Sequence, residues 1–327
     1  MKAGKQTTLR NPASASGIGV HSGLPATLTI LPAEADTGIV FMRCGELGEP
    51  DREVRADFRA VTATEFATVL GDAEGPLCST AEHVLAALSG LGIDNAVIEI
   101  DGAEAPIMDG SAAAFVAAID EAGVFTLPVP RRYIRILKPV RVAADGGAYG
   151  ELRPYSHGFR IELDIDFDHP LIGRQGVALD IEPATFRQEL ARARTFGFMR
   201  DVAKLWSAGY ALGASFENTL VINENRLLNP EGLRYPDEFA RHKALDAIGD
   251  LALAGAPLLG VYRSVRGGHK LNHAVLSALM ADPSAWVLVD SPELRPEIRP
   301  ETGRRAIRGH ADLATGLVAP AFGPDLS

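Results

Sequence analysis

A short pattern that appears in both halves of the chain limits the folds it can adopt. His83 is followed seven residues later by Gly90, and His242 is followed seven residues later by Gly249. In each case an apolar helical segment leads into a segment with strand character, which indicates two related domains. Helix-to-strand units resemble one another in many unrelated folds, so the repeat alone leaves duplication open.

The rest of the chain alternates between predicted strands and helices. In the first half we predict strands at 26–30, 38–42 and 96–100, and helices at 79–89, closed by Gly90, and from 111 to Gly123. In the second half we predict strands at 133–136, 148–153, 159–167, 257–262 and 285–290, and helices at 183–192, 201–208 and 237–254. Two prolines in 126–130 stop both a helix and a central strand. We therefore predict a linker there, domains at 1–127 and 131–302, and a peripheral tail at 303–327.

Charge and cysteine content exclude several classes of protein. The chain has 327 residues and a formal net charge of −10, so it offers no overall basic surface for nucleic acid. Its two cysteines cannot form a disulfide framework or a cysteine-rich zinc site. The N-terminal segment lacks the apolar region of a signal peptide, and the longest apolar stretch, 251–262, is too short to span a bilayer. We expect a cytoplasmic protein.

The segment His242–Asp250 contains the first candidate for chemistry. His242 and Asp246 are four residues apart, so on a helix they lie on one face and can bind one metal ion. Asp250 continues that face, while Leu245 and Ile248 place its other side toward the core. A half-buried row of these side chains requires a cationic partner. The spacing is loose, and a His–Asp ion pair with a solvated Asp250 explains it as well.

His83 is the best third ligand, because it begins an apolar helix beside a carboxylate, Glu82. Catalytic zinc sites use three protein ligands and leave one position for water. A neighbouring carboxylate can then accept the proton of that water. An alternative interpretation is a capping box, in which Ser79 and Glu82 bind the first turn of the helix.

His269 follows Gly267 and Gly268, which allow tight turning and close approach to a ligand. A histidine on such a loop can act as a general acid toward a leaving amine. The alternative is an exposed loop histidine with no role.

Several longer strings resemble one family of enzymes. In chain order they are GIGVHSG at 17–23, STAEHVL at 79–85, GLGIDN at 90–95, PIMDGS at 106–111, RARTFGFMRD at 192–201, NPEGLR at 229–234, RHKALDAIGD at 241–250 and the pair Gly268-His269. Together they resemble the UDP-3-O-acyl-N-acetylglucosamine deacetylases over about residues 5–295. The strings at 192–201 and 241–250 are the most specific.

The resemblance implies two α+β domains, each with a β-sheet packed on two α-helices, and an active site between the domains. It implies that His83, His242 and Asp246 bind Zn²⁺ and that Glu82 is the general base. The same resemblance makes the chain a hydrolase that removes the acetyl group of an acylated UDP-sugar in the committed step of lipid A biosynthesis.

The other predicted site residues also come from this resemblance. It implies that His269 protonates the leaving amine, that Asp250 orients His269, and that Thr195 donates a hydrogen bond to the tetrahedral oxyanion. It implies that Phe196 and Phe198 contact the acyl chain of the substrate and that Lys243 and Arg266 contact its diphosphate. It also implies that Asp166 and Phe167 contact the uridine.

Two positions depart from the family pattern. After His269 the chain reads Lys-Leu-Asn-His, where the family more often has a second asparagine at the last position. The residues from Gly146 to Tyr149 include no basic side chain, although the family can carry one there for the substrate.

Two other functions remain open from the residues alone. Two histidines and one carboxylate can also hold ferrous iron in an oxygenase, and the fold could persist in a non-catalytic sugar-nucleotide or acyl-binding protein. No HExxH string is present, which argues against a metalloprotease. Beyond the substrate, we predict a monomer with no nucleic-acid partner and at most a transient contact with the inner membrane surface.

Overall fold

The computed structural model describes residues 4–45 and 51–291. Within these ranges no helix is long and apolar enough to cross a bilayer. The predicted tail at 303–327 and the last residues of the predicted second domain, 292–302, lie outside the described residues.

The first half contains a five-stranded sheet and two helices. Its elements are β1 Lys5–Leu9, β2 Ala13–Ile18, β3 Pro25–Pro32, β4 Ile39–Arg43, β5 Arg52–Arg55, β6 Val61–Ala63, β7 Val69–Asp72, β8 Gly75–Cys78, α1 Glu82–Leu91, β9 Ala96–Ile100, α2 Ala113–Ala122 and β10 Val124–Pro130. The sheet order is β2-β3-β9-β4-β5, with β4 parallel to β9 and the other neighbours antiparallel. In β3 the alternate residues Ala26, Leu28 and Ile30 are buried, because successive side chains of a strand point to opposite faces.

The second half contains a seven-stranded sheet. Its elements are β11 Arg132–Ile136, β12 Val140–Ala143, β13 Tyr149–Arg153, β14 Phe159–Asp166, β15 Arg174–Asp180, α3 Pro183–Thr185 with a π-helical turn at Phe186–Leu190, β16 Phe196–Phe198, α4 Met199–Ser207, β17 Leu220–Asn223, β18 Arg226–Leu227, α5 Glu238–Ala252, β19 Leu258–Val265, α6 His269–Met280 and β20 Trp286–Asp290. The main path of the sheet is β12-β13-β19-β11-β20, and β14, which pairs with β15, joins it through β19. The nearly continuous burial of β19 suits a central strand with both faces covered.

Two helices accompany each sheet, and the helices of the two halves face each other. In the first half α2 packs against β2 and α1; in the second half α5 packs against β14 and β15, and α6 packs against β12 and β13. The contact between the halves is made mainly by α1 against α5. The predicted α+β class is confirmed.

The repeated glycines lie where other elements approach these helices. A Cβ on Gly249 would lie 2.0 Å from the carbonyl oxygen of Glu82, and a Cβ on Gly90 would lie 2.3 Å from Cγ of Phe186. Any side chain at Gly249 would therefore separate α5 from α1.

The predicted linker at 126–130 is wrong, because this segment belongs to β10. It pairs antiparallel with β1, with Thr7 opposite Thr126. Among the described strands β10 has β1 as its one neighbour, and prolines are tolerated on such an edge because its free side needs no hydrogen-bond donors. The domain boundaries at 127 and 131 stay a prediction.

The end of the first predicted helix is also wrong. Helix α1 continues past Gly90 to Leu91, and Gly92 caps it in the left-handed conformation with φ of 76°. Glycine adopts this conformation without a steric penalty, which makes it the common residue after a helix.

Candidate metal and catalytic site

Three side chains from α1 and α5 converge between the two sheets. His83 is the second residue of α1, while His242 and Asp246 lie one turn apart on α5. His83 Nε2 is 3.5 Å and His242 Nε2 is 3.3 Å from the same atom, Oδ1 of Asp246. One potential ligand atom from each residue lies within 4.8 Å of the other two. All three residues are buried.

The hydrogen bonds around this triad leave its inward atoms without partners. Nδ1 of His242 donates to the carbonyl oxygen of Ala193 at 3.0 Å, so Nε2 presents its lone pair toward Asp246. Burial lowers the pKa of His242 to about 3, which keeps the imidazole neutral. Oδ1 of Asp246 is buried and has no hydrogen-bond partner among the described residues. Lone pairs that converge in a buried space are stabilised by a cation, and two imidazoles with one carboxylate form a ligand set that suits zinc.

Lys243 binds the second oxygen of the same carboxylate. Its Nζ lies 2.9 Å from Oδ2 of Asp246 and 5.8 Å from the centroid of the Phe196 ring. Burial opposes the charge of the lysine, but the attraction of Asp246 prevails and raises the pKa of Lys243. The predicted diphosphate contact therefore lies directly beside the metal triad.

Glu82 points into the site and does not form a capping box. The residue before α1 is Ala81, which makes no side-chain cap, and Oε2 of Glu82 accepts a hydrogen bond from the Thr68 amide at 3.0 Å. Burial raises the pKa of Glu82. The carboxylate is thus fixed by a neighbouring chain segment and has a basicity suited to accepting a proton.

His269 is buried at the start of a helix, so the alternative interpretation as an exposed loop histidine is wrong. It is the first residue of α6, directly after Gly268, and its Nε2 lies 3.8 Å from Oε1 of Glu82 and 3.9 Å from Oδ2 of Asp246. Burial opposes protonation, but the charges of Asp250 and Glu82 outweigh it and raise the pKa of His269 to about 9. The imidazole is therefore cationic at neutral pH.

Asp250 holds the opposite side of the His269 ring. Its Oδ2 accepts hydrogen bonds from His269 Nδ1 at 2.9 Å and from Asn272 Nδ2 at 2.8 Å. The Tyr262 hydroxyl donates to Oδ1 of Asn272 at 2.7 Å. His273, which departs from the family pattern, binds the carbonyl oxygen of Phe58 at 2.9 Å. It therefore supports α6 without taking part in the hydrogen bonds around Asp250.

Aromatic rings line one side of the triad. Phe196 lies edge-on to Phe167, with centroids 5.7 Å apart, and to His242, with centroids 6.4 Å apart. Phe198 is 6.1 Å from Phe167. All three phenylalanines are half-buried, so they form an apolar wall that an alkyl chain can contact.

Thr195 lies on the chain segment that supports His242. It is half-buried, and its backbone bonds to the Gly110 carbonyl and the Leu220 amide, both at 2.8 Å. It lies between Ala193, the partner of His242, and Phe196 of the aromatic wall. The predicted oxyanion contact stays a prediction.

The structure brings Arg266 and Asp166 together as an ion pair. Arg266 Nη1 also donates to the Gly146 carbonyl at 2.9 Å. The guanidinium of Arg266 therefore lies beside the segment from Gly146 to Tyr149, which has no basic side chain. Both side chains are exposed, at 46% and 39%, so a ligand can reach them.

The sequence predicted no role for Thr68, which contacts Glu82 and Asp250, or for His21 and Glu104, which bind each other. The Thr68 hydroxyl donates to Oδ1 of Asp250 at 2.5 Å. Burial lowers the pKa of His21 against the opposing charge of Glu104, and the charges of His269 and His83 add to the lowering. Glu104 accepts the His21 and Ser22 amides at 2.9 and 2.8 Å. The string at 17–23 contained a signal for His21, whereas no pattern connects Thr68 with Asp250.

A cavity of about 960 Å³ lies elsewhere and contains none of the predicted site residues. It is lined by other side chains of α1 and α5, including Leu85, Leu88, Ile248 and Leu251. Residues of both halves line this cavity, and the predicted metal ligands lie outside its lining.

Comparison with known proteins identifies the family. The chain matches the family described as UDP-3-O-acyl N-acetylglycosamine deacetylase over residues 6–281. It is 51% identical over 287 residues to UDP-3-O-acyl-N-acetylglucosamine deacetylases of Brucella ovis, Brucella canis and Brucella suis, which covers 88% of this chain and 99% of each relative. The chain belongs to the UDP-3-O-acyl N-acetylglycosamine deacetylase family.

Proposed function

We propose that the protein is a zinc-dependent deacetylase that hydrolyses the acetamide of UDP-3-O-acyl-N-acetylglucosamine to a free amine and acetate. This reaction is the committed step of lipid A biosynthesis. The observation that carries the proposal is the convergence of His83, His242 and Asp246 on one point, with Glu82 and His269 beside them. Zinc held by these ligands supplies an acidified water and an electrophilic contact for a carbonyl oxygen.

Glu82 accepts the proton of the attacking water. Its Oε2 is occupied by the Thr68 amide, which leaves Oε1 facing His269 and the triad. Burial raises the pKa of Glu82, and a base whose pKa approaches the working pH is more effective.

His269 donates a proton to the departing nitrogen of the glucosamine. Its Nδ1 is held by Asp250, so the free Nε2 carries the proton that can be transferred. Burial lowers the pKa of His269, but the charges of Asp250 and Glu82 outweigh this effect and raise the pKa to about 9. The imidazole is therefore charged before the reaction begins.

The oxyanion and the substrate are held by the remaining residues. Thr195 donates a hydrogen bond to the tetrahedral oxyanion, where electrostatic stabilisation typically contributes most to the rate. The acyl chain lies along the apolar wall of Phe196 and Phe198. The nucleotide contacts are Lys243 and Arg266 at the diphosphate, and Asp166 with Phe167 at the uridine.

The predicted setting of the enzyme is part of the same proposal. We propose a cytoplasmic monomer that binds no nucleic acid and touches the inner membrane surface at most transiently. The net charge of −10 supports the absence of a nucleic-acid partner.

The test is to incubate zinc-loaded protein with UDP-3-O-acyl-N-acetylglucosamine and to measure acetate and free amine in parallel. We expect the two products in equal amounts. Binding of the substrate without any release of acetate would instead indicate a non-catalytic homologue. Oxygen consumption with ferrous iron would indicate an oxygenase.

A further inference from the structure

We propose that Thr68 is a positioning residue that sets the geometry of both proton-transfer groups, Glu82 and His269. The proposal rests on the proposed deacetylase function and assigns a role to a residue outside the ligand and acid–base set. Thr68 directly precedes β7 and is 2% exposed. It is therefore a buried polar residue whose hydrogen bonds need an explanation.

The backbone of Thr68 fixes the beginning of α1. Its amide donates to Oε2 of Glu82 at 3.0 Å, and its carbonyl oxygen accepts the Ala81 amide at 3.2 Å. These two bonds hold the Glu82 carboxylate with Oε1 directed toward His269.

The side chain of Thr68 fixes Asp250. Its hydroxyl donates to Oδ1 of Asp250 at 2.5 Å, across a separation of 182 residues in the chain. The other carboxylate oxygen, Oδ2, accepts His269 Nδ1 and Asn272 Nδ2. The hydroxyl therefore determines the rotation of the carboxylate and keeps Oδ2 turned toward the imidazole.

The hydroxyl can be removed without removing the amide. Thr68→Val has nearly the same shape but no donor, so Oδ1 of Asp250 loses its hydrogen bond in a buried space. Hydrogen bonds to charged groups are among the stronger ones in proteins, and an unmatched buried acceptor is costly. The amide bond to Glu82 persists in this variant, so the effect reports the hydroxyl.

The conservative variant and a distant threonine provide matched controls. Thr68→Ser keeps the hydroxyl and loses one methyl group. Thr8 is also buried, and its hydroxyl accepts the Ala33 amide at 2.8 Å on β1, away from the site. Thr8→Val therefore removes a buried, hydrogen-bonded hydroxyl that has no contact with Glu82 or Asp250.

The experiment measures steady-state acetate release, zinc content and melting temperature for six proteins. They are the wild type, Thr68→Val, Thr68→Ser, Thr8→Val, Asp250→Asn and the double variant of Thr68→Val with Asp250→Asn. We expect Thr68→Val to lower kcat by about 10- to 100-fold, to change KM by less than about 3-fold and to keep its zinc. Thr68→Ser should retain at least about a third of the wild-type kcat. Thr8→Val should melt earlier with kcat unchanged. In an Asp250→Asn background, Thr68→Val should lower kcat by less than about 3-fold further, because both changes disturb one interaction.

Several outcomes would overturn the proposal. They are a kcat of Thr68→Val within 2-fold of wild type, an effect confined to KM, and a kcat of Thr68→Ser as low as that of Thr68→Val. If Thr68→Val does not fold, Thr68→Ala replaces it in the same comparison with Thr68→Ser.

A second readout separates this proposal from the proposed function. The ring ¹⁵N resonances of His269 should shift in Thr68→Val and in Asp250→Asn and stay in place in Thr8→Val. This result does not require turnover, so it holds even if the wild type releases no acetate. Unchanged His269 resonances in Thr68→Val would contradict the positioning role.

Discussion

The metal side of the site and its substrate side differ in how deeply their polar groups are buried. On the metal side, His83, His242 and Asp246 are at most 3% exposed, the Ala193 carbonyl orients His242, and Lys243 binds Asp246. On the substrate side, Arg266 is 46% exposed and pairs with Asp166. The metal side is preorganised for one metal ion. On the substrate side, Arg266 and Asp166 bind each other until a ligand replaces this ion pair. Changes on the metal side should therefore affect kcat and zinc, and changes on the substrate side should affect KM.

The largest effect is expected from His242→Ala. This change removes one of three ligands, so the protein should lose stoichiometric zinc and its turnover should fall by at least about 1000-fold, the scale of the charge stabilisation that a catalytic metal provides. Elemental analysis and acetate release measure the two quantities. Full zinc retention would remove His242 from the ligand set.

Glu82→Ala should lower kcat by at least about 100-fold while zinc remains bound, because a general base contributes in this range. Glu121→Ala, an exposed glutamate on α2, is the matched control and should leave kcat unchanged. Near-normal turnover of Glu82→Ala would exclude it as the base.

His269→Ala should lower kcat by at least about 100-fold and should also change the pH profile. In the wild type the acid must be protonated, and the pKa of His269 is raised to about 9 by Asp250 and Glu82 against the effect of burial. Turnover should therefore decline as the pH rises through about 9, and this alkaline limb should be absent from the residual activity of His269→Ala. An identical alkaline limb in both proteins would assign it to another group.

The smallest effect is expected on the substrate side. Arg266→Ala should raise KM by about 10-fold with little change in kcat, because it removes a contact made equally in the ground state and the transition state. Arg266→Lys should restore part of the loss, since it keeps the charge without the forked geometry. A fall in kcat at unchanged KM would place Arg266 with the metal side instead.

The same division describes what the sequence could predict. The face of His242, Asp246 and Asp250 follows from helical spacing, and the resemblance joined it to His83, which lies on another helix. The ion pair of Arg266 with Asp166 could not be predicted, because it depends on the packing of the β14 end against the turn after β19. Thr68 could not be predicted either, since its partner is 182 residues away and no periodicity relates them.

The secondary-structure predictions were wrong where a local sequence signal was overridden by tertiary packing. Two prolines suggested a linker at 126–130, although the free edge of a two-stranded sheet accommodates them. Two glycines before His269 suggested a loop, although they precede the first residue of α6. In the first case pairing with β1 determines the structure, and in the second the His269 side chain is buried against Asp250.

We propose that one zinc ion, held by His83, His242 and Asp246, makes this chain a deacetylase. The most direct test of this proposal is a zinc titration of chelator-stripped protein, with acetate release from UDP-3-O-acyl-N-acetylglucosamine measured at each point. We expect activity to be absent without metal and to rise to a plateau at one zinc per chain. Full activity of the stripped protein, or no acetate release at any zinc content, would contradict the proposal.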